Sequence, residues 1–331
     1  MRVNIIVPVY NTESFLNKCL DSIFRQTYKD IFVICINDGS SDGSSSILNN
    51  YKKQHNNMVV INKKNGGLAS ARNAGLNVIK DFDNCYIAFI DSDDYISREY
   101  IEILVKKAEE FNADIVSSSF FIDKDGNISN APCVPDEGLV NSFKGVEYLL
   151  NGNIQSHCPC KLFKSHLWEN TRFDESLFFM EDQAITFKLF LKSNNICITN
   201  WAGYFIGMRE GSLCQSKMTN KKILCALRSY KIACDYDYNE LDDKEKIHLK
   251  NLSFNLFGKI FLMMYPRFVK KNSSELELTE WKTFIKFEKK NKIVKKLIPE
   301  DKKERIKKIV FIYFHFLYKM LYRMFLKRYE R

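Results

Sequence analysis

No C-x-x-C pair occurs in the 331 residues, although there are 10 cysteines. The zinc ribbons and thiol redox motifs that such pairs mark are therefore disfavoured. Cys158-Pro159-Cys160 is the one close pair, and His157 beside it has no second cluster of ligands. Cys35, Cys85 and Cys197 lie inside apolar runs, where a thiol acts as a small hydrophobe. Reduced cysteines of this kind fit a cytosolic protein. No apolar stretch reaches the ~18 residues that a membrane-spanning helix needs. Residues 1–9 run straight into a strand pattern, without the basic-then-apolar leader of an exported chain, so a cytoplasmic location is expected. There is no internal repeat. No G-x-G-x-x-G follows the first strand, which disfavours a dinucleotide oxidoreductase. Outside residues 301–331 the charge is close to balanced, which argues against a nucleic-acid binder.

What is present is a globular composition, 45% hydrophobic and 27% charged, in a chain long enough for two domains or one with appendages. Residues 3–9, 31–36, 58–61, 86–90 and 113–121 read as strands. Residues 13–27, 68–80 and 98–111 have helical spacing, with Phe15, Leu16, Cys19, Leu20, Ile23 and Phe24 forming one apolar stripe. This alternation implies an α/β fold with a doubly wound, mostly parallel sheet flanked by helices. Residues 123–139 read as a hairpin or loop, 143–150 and 181–192 as helices, 151–165 as irregular and 196–208 as aromatic strand. Beyond 217 the chain becomes helical and Lys-rich, with breaks expected at Pro266 and at 271–274.

The stretch around which the rest is arranged is Tyr86-Ile87-Ala88-Phe89-Ile90-Asp91-Ser92-Asp93-Asp94-Tyr95. A continuous apolar run reads as a strand buried on both faces, and open α/β sheets place ligands at the carboxyl ends of such strands. Three carboxylates so close repel one another. A hard divalent cation with phosphate oxygens would relieve that, and so would plain solvation of an acidic turn.

Taken in order, Val7-Pro8-Val9-Tyr10-Asn11, Asn37-Asp38-Gly39-Ser40, Asn65-Gly66-Gly67 with Ala71-Arg72-Asn73, Asp91-Ser92-Asp93-Asp94 and Glu181-Asp182 resemble one family, the inverting glycosyltransferases of family 2 with the GT-A fold, of bacterial polysaccharide or lipooligosaccharide type. The resemblance is strong over 1–115, fair to about 215 and absent beyond. It implies that Pro8, Tyr10 and Asp38 hold the nucleobase, with Asn11 and Glu13 in the same donor site. Asn37 stands where the family often has a first acid, but the base-binding acid is the second, Asp38. Asp38 capping the helix after it is the other reading. Gly66, Gly67 and Arg72 would lie on the diphosphate side, the glycines offering backbone N–H groups. Arg72 would reach phosphate or an acid of the metal motif, or form a structural ion pair. Asp91, with Ser92, would reach the ribose or sugar, Asp93 would bind Mn²⁺ or Mg²⁺ with the diphosphate, and Asp94 would cap the 98–111 helix or support its neighbours.

An inverting transfer needs a further carboxylate to take the proton of the acceptor hydroxyl. Family position gives this to Asp182, with Glu181 as runner-up, although acids in a first helical turn are often structural. Arg209, in an Arg-x-x-Ser segment with Ser212, would contact the diphosphate. Lys161 falls in an acceptor-side segment or is simply solvated, and the histidines read as surface or packing residues.

The implied enzyme moves Gal, Glc, GlcNAc or GalNAc from a UDP-sugar to a hydroxyl of a glycan or lipid-linked oligosaccharide. The rivals are a sugar-1-phosphate nucleotidyltransferase, which would carry a Gly-rich basic loop where Tyr10-Asn11-Thr12-Glu13 stands, and a non-catalytic nucleotide- or glycan-binding scaffold. The expected divisions are a donor half 1–115, an acceptor half 116–215, a helical region 216–300 and a basic tail 301–331. The tail has ten Lys/Arg against three acids and so holds most of the +10 net charge. Its polar stripe (His315, Lys319, Arg323, Lys327) faces away from apolar positions such as Val310, Phe314 and Leu321. That pattern fits a helix lying on an anionic membrane, here the inner face of the cell membrane, or docked on its own protein or on a second copy in a homodimer.

Overall fold

The computed structural model describes residues 1–131, 137–208, 217–239, 241–269 and 274–292. It falls into two compact units, Met1–Ser216 and Lys217–Arg331.

The first unit is organised on one mixed sheet. β1 (Arg2–Val9), β2 (Ile31–Asn37), β3 (Met58–Asn62) and β4 (Cys85–Phe89) are parallel, in the order β3-β2-β1-β4. Their apolar residues alternate onto both faces and are buried on both, so Ile5, Ile6, Val7 and Ile87 are all fully enclosed. The cover comes from α1 (Glu13–Phe24), α2 (Ser44–Gln54), α3 (Leu68–Leu76) and α4 (Tyr100–Glu110). α1 turns Leu16, Cys19, Leu20 and Ile23 inward at helical spacing. α3 stops at Leu76 rather than at 80, capped by Asn77.

The second half of the unit is woven into the same sheet. It adds β5 (Tyr95–Ile96), β6 (Ile115–Lys124), β7 (Asn127–Asn130), β8 (Gly138–Val140), α5 (Ser142–Asn151), β9 (Lys161–Lys164), a 3-10 turn (Ser165–Trp168), α6 (Glu181–Lys192) and β10 (Ile196–Gly207). Of the two readings of 123–139, hairpin or loop, its first part is a hairpin of β6 and β7, turning at Asp125-Gly126. Residues 151–165 are not wholly irregular: β9 lies between β4 and β6, antiparallel to both. That insertion carries the chain beyond residue 115 to the middle of the sheet, beside the end of β4. β1, β2 and β4 all end at one edge, with Val9 opposite Asn37 and Ile6 opposite Phe89.

The second unit contains α7 (Asn220–Asp235), α8 (Asp243–Val269) and α9 (Glu275–Asn291) around an aromatic core of Phe257, Phe261, Trp281 and Phe284. Phe261 and Trp281 stack with ring centroids 4.6 Å apart. Pro266 does not break α8, which runs to Val269. A proline one turn from a helix end removes a single backbone bond, and the helix stops within the next turn. The break at 271–274 stands, because Ser274 opens α9 with a reciprocal capping box to Glu277. No described helix is long and apolar enough to cross a membrane. Residues 301–331 lie outside the described residues.

Candidate active site

The edge where β1 and β2 end holds Pro8, Tyr10 and Asp38. The Asp38 N–H donates to the Val9 carbonyl (2.9 Å), so the two strand ends leave the sheet side by side. Tyr10 projects with half its surface exposed, while Asp38 is buried. The Asp38 carboxylate accepts from the Lys63 ammonium (2.6 Å), from the Gly66 N–H (3.0 and 3.2 Å to its two oxygens) and from the Gly67 N–H (2.8 Å). Asp38 does not cap α2, whose N-cap is Gly43; the Asp42 carboxylate just before it accepts from the Ser44 N–H (3.1 Å). The N–H groups of Gly66 and Gly67, expected over a diphosphate, point at Asp38. Gly67 has φ +87°, a conformation that only glycine adopts freely, and this turns its N–H inward at the start of α3.

Asn11 and Glu13 brace the neighbouring loop. The Asn11 side-chain oxygen accepts from the Ser41 N–H (2.8 Å) and the Glu13 carboxylate from the Gly43 N–H (2.8 Å). Thr12, between them, donates its hydroxyl to that of buried Ser92 (3.0 Å), tying the start of α1 to the acid loop after β4.

At that loop, Arg72 of α3 gathers three carboxylates. Its Nη2 donates to Asp91 (2.9 Å), and its Nη1 to Asp182 (2.8 Å) and Glu181 (3.1 Å). Asp91 follows β4, and the other two open α6. The side chains of Arg72, Glu181, Asp182 and Asp91 are 0, 6, 15 and 28% exposed, so the two aspartates are the members that reach solvent. In this structure Arg72 is ion-paired with an acid of the motif, Asp91, and with both acids that open α6. Burial alone would lower the guanidinium, but Asp182, Asp91 and Glu181 outweigh it and push it well up. Burial pushes Glu181 up to about 7, with adjacent Asp182 adding to the rise and Arg72 opposing it. Burial likewise raises Asp91 against the pull of Arg72.

Asp94 does not cap α4, whose N-cap is Glu99. It accepts from the Tyr204 hydroxyl (2.7 Å) and the Gly207 N–H (2.8 Å), and that same hydroxyl accepts from the Asp91 N–H (3.1 Å). Burial, then Asp91 and Asp93, raise its carboxyl well above the ordinary range. A Cβ on Gly207 would lie 2.4 Å from the Asp93 carbonyl oxygen, so β10 presses directly on the acid loop. Asp93 is half-buried. Among the described residues no group of three or more His, Cys, Asp or Glu is placed to hold a metal ion. A cation at Asp93 would therefore have to draw most of its ligands from a bound diphosphate and water, as magnesium sites commonly do.

Lys161 is neither solvated nor turned to an acceptor. It is buried, and its ammonium donates to the carbonyls of Gln155 (2.7 Å) and His157 (2.6 Å). This fixes the 155–157 segment, whose His157 ring packs on Phe120 (6.2 Å) within the field of Asp182. Burial lowers His157, and lowers Lys161 as well. Sequence reasoning missed Lys63 and Tyr204. Lys63 stands just before Asn65-Gly66-Gly67, and a lone cation beside a loop facing an acid is the available signal; Tyr204 is marked in the sequence only as the first residue of the rim-like segment 204–213 that carries Arg209, and its own bonds to the acid loop are not. Arg209 lies outside the described residues.

The sequence profile of the family described as Glycosyl transferase family 2 matches residues 4–169. Glycosyltransferase GlyA of Streptococcus pneumoniae is 33% identical over 68% of this chain and 33% of its own length. GlyG of the same organism is 30% identical over 65% of this chain and 73% of its own length. The uncharacterized glycosyltransferase EpsJ of Bacillus subtilis is 32% identical over 64% of this chain. The matched region thus spans only a third of GlyA and 62% of EpsJ. Among solved structures, S. aureus TarS 1-349 in complex with UDP-GlcNAc superposes with a TM-score of 0.69 at 20% identity, over 90% of this chain and 82% of that one. The fold is the expected GT-A arrangement with C-terminal helices, and the chain belongs to glycosyl transferase family 2.

Proposed function

We propose that this protein transfers a hexose or N-acetylhexosamine from a UDP-sugar to a hydroxyl of a surface-glycan acceptor, with inversion. The observation that carries the reading is Arg72, whose one guanidinium joins Asp91 and Asp182, remote in sequence, at the end of β4. Asp182 accepts the proton of the incoming hydroxyl as its oxygen bonds to C1 and the C1–O bond to UDP breaks, a single displacement. Tyr10 offers a flat exposed face for the base at the rim that Asp38 closes. Mn²⁺ or Mg²⁺ held by Asp93 would stabilise the charge that grows on the departing diphosphate. TarS, solved with UDP-GlcNAc and with UDP, supports a uridine nucleotide as donor.

The test is a thermal-shift panel of UDP-Gal, UDP-Glc, UDP-GlcNAc and UDP-GalNAc with and without Mn²⁺, since a ligand that binds only the folded state raises its melting point. A rise with at least one of them, deepened by Mn²⁺, is expected; no rise with any would remove the donor assignment. We further read the basic tail, 301–331, as a membrane-surface segment that brings the enzyme to a lipid-linked acceptor on the inner face of the membrane. The full chain should then float with anionic liposomes, and a chain ending at Pro299 should not.

A further inference from the structure

We infer that Arg72 is a positioning residue that sets the base against the donor site, rather than a ligand of the diphosphate; this rests on the reading of Asp182 as the base. Its side chain is 0% exposed. Both terminal nitrogens are committed to carboxylates, Nη1 to Asp182 and Glu181 and Nη2 to Asp91. Its guanidinium lies over the rings of Phe173 (5.4 Å) and Phe89 (5.9 Å), which hold the plane of the fork. The Nε is buried with no partner among the described residues. The group is thus oriented for the carboxylates and not for its own full complement of acceptors.

The backbone beneath it is fixed from both directions. Asp38 grips the entrance of α3 through the N–H groups of Gly66 and Gly67. The next residue, Asn73, accepts from the Phe173 N–H (2.9 Å) and donates to the Phe173 carbonyl (3.0 Å) and to Glu175 (2.9 Å), docking the approach to α6 on α3. Asp91 and Asp182 therefore take their separation from one planar fork. A lysine supplies the charge without that fork.

The experiment measures UDP binding by calorimetry with Mn²⁺, and UDP release from the four UDP-sugars with water as acceptor, for wild type and Arg72→Lys. The expected result is a UDP Kd within threefold of wild type and a kcat lower by about 100-fold, the scale of a small misplacement of a catalytic group. A tenfold or greater loss of UDP affinity, or a kcat within threefold of wild type, overturns the inference. Should Arg72→Lys not fold, Glu181→Ala removes one anchor of Nη1 and should lower kcat severalfold with UDP affinity kept, while Glu181→Gln, whose carbonyl accepts the same bond, should recover most of that loss. An unchanged kcat in Glu181→Ala, or no recovery in Glu181→Gln, overturns it equally. Failure of the base assignment itself would show separately, as full activity in Asp182→Asn, and leaves the UDP affinity of Arg72→Lys readable.

Discussion

The two charged clusters at the sheet edge are built with opposite stoichiometry. At Asp38 one buried carboxylate is served by an ammonium and two backbone N–H groups. At Arg72 one buried guanidinium serves three carboxylates. A carboxylate offers about four acceptor positions, and three donors already occupy most of those of Asp38, so a nucleobase N–H arriving there competes with Lys63 and the glycine N–H groups. The Arg72 cluster has the contrary excess, more negative charge than one cation neutralises. Such a site is suited to taking up a proton or standing beside a metal-bound diphosphate. The donor-rich end holds its loop still; the acid-rich end has capacity for chemistry.

The contrast breaks most sharply at Asp182. Asp182→Asn keeps the bond from Arg72 but cannot take the proton, and transfer should fall by about 10²- to 10⁴-fold with UDP affinity unchanged. Asp93→Ala should instead abolish the response of UDP release to Mn²⁺ and to its removal by EDTA. Steady-state UDP release separates the two variants: one loses turnover at any metal concentration, the other loses metal dependence.

Much of this edge was legible beforehand, for a physical reason. β1, β2 and β4 are continuous apolar runs because both faces of the sheet are covered, and their ends coincide with short polar motifs. β9 was not legible. Two apolar residues between lysines carry no strand period, and the segment is a strand only because the edges of β4 and β6 are there to pair with it. Neither reading of Lys161, acceptor-side or solvated, could foresee its burial for the same reason, since that depends on carbonyls presented by residues 155 and 157. The alternatives for Arg72 could not be decided from spacing, because its partners come from the end of β4 and from α6, which only the fold brings together. Asp94 offers two readings in the sequence, a helix cap or a support for its neighbours, and its partners on β10, one of which also bonds the Asp91 N–H, leave only the second.

The donor-rich end can be probed through stability. Lys63→Met removes a charge-assisted bond to a buried carboxylate while keeping the aliphatic stem. The expected loss is about 1.5–3 kcal/mol, the range for hydrogen bonds to charged groups, read as a lower urea midpoint at unchanged slope. An unchanged midpoint would mean that the two glycine N–H groups suffice and that the ammonium is free to serve the nucleotide.

The smallest effect tests the charge excess at the other end. Glu181 titrates near 7 in the folded protein against an ordinary 4.5. Between those values the folded state holds a proton that the unfolded chain has released, so this group lowers stability progressively as pH rises from about 4.5 to 7 and by a constant amount above. Glutamine imitates the protonated acid at every pH. Glu181→Gln should therefore melt near wild type at pH 4.5 and above it at pH 8, by roughly 2–4 °C for each kcal/mol of strain relieved. A difference that does not grow with pH would mean that Arg72 neutralises all three carboxylates by itself, and the acid-rich end would have no excess charge to offer a proton or a metal-bound diphosphate.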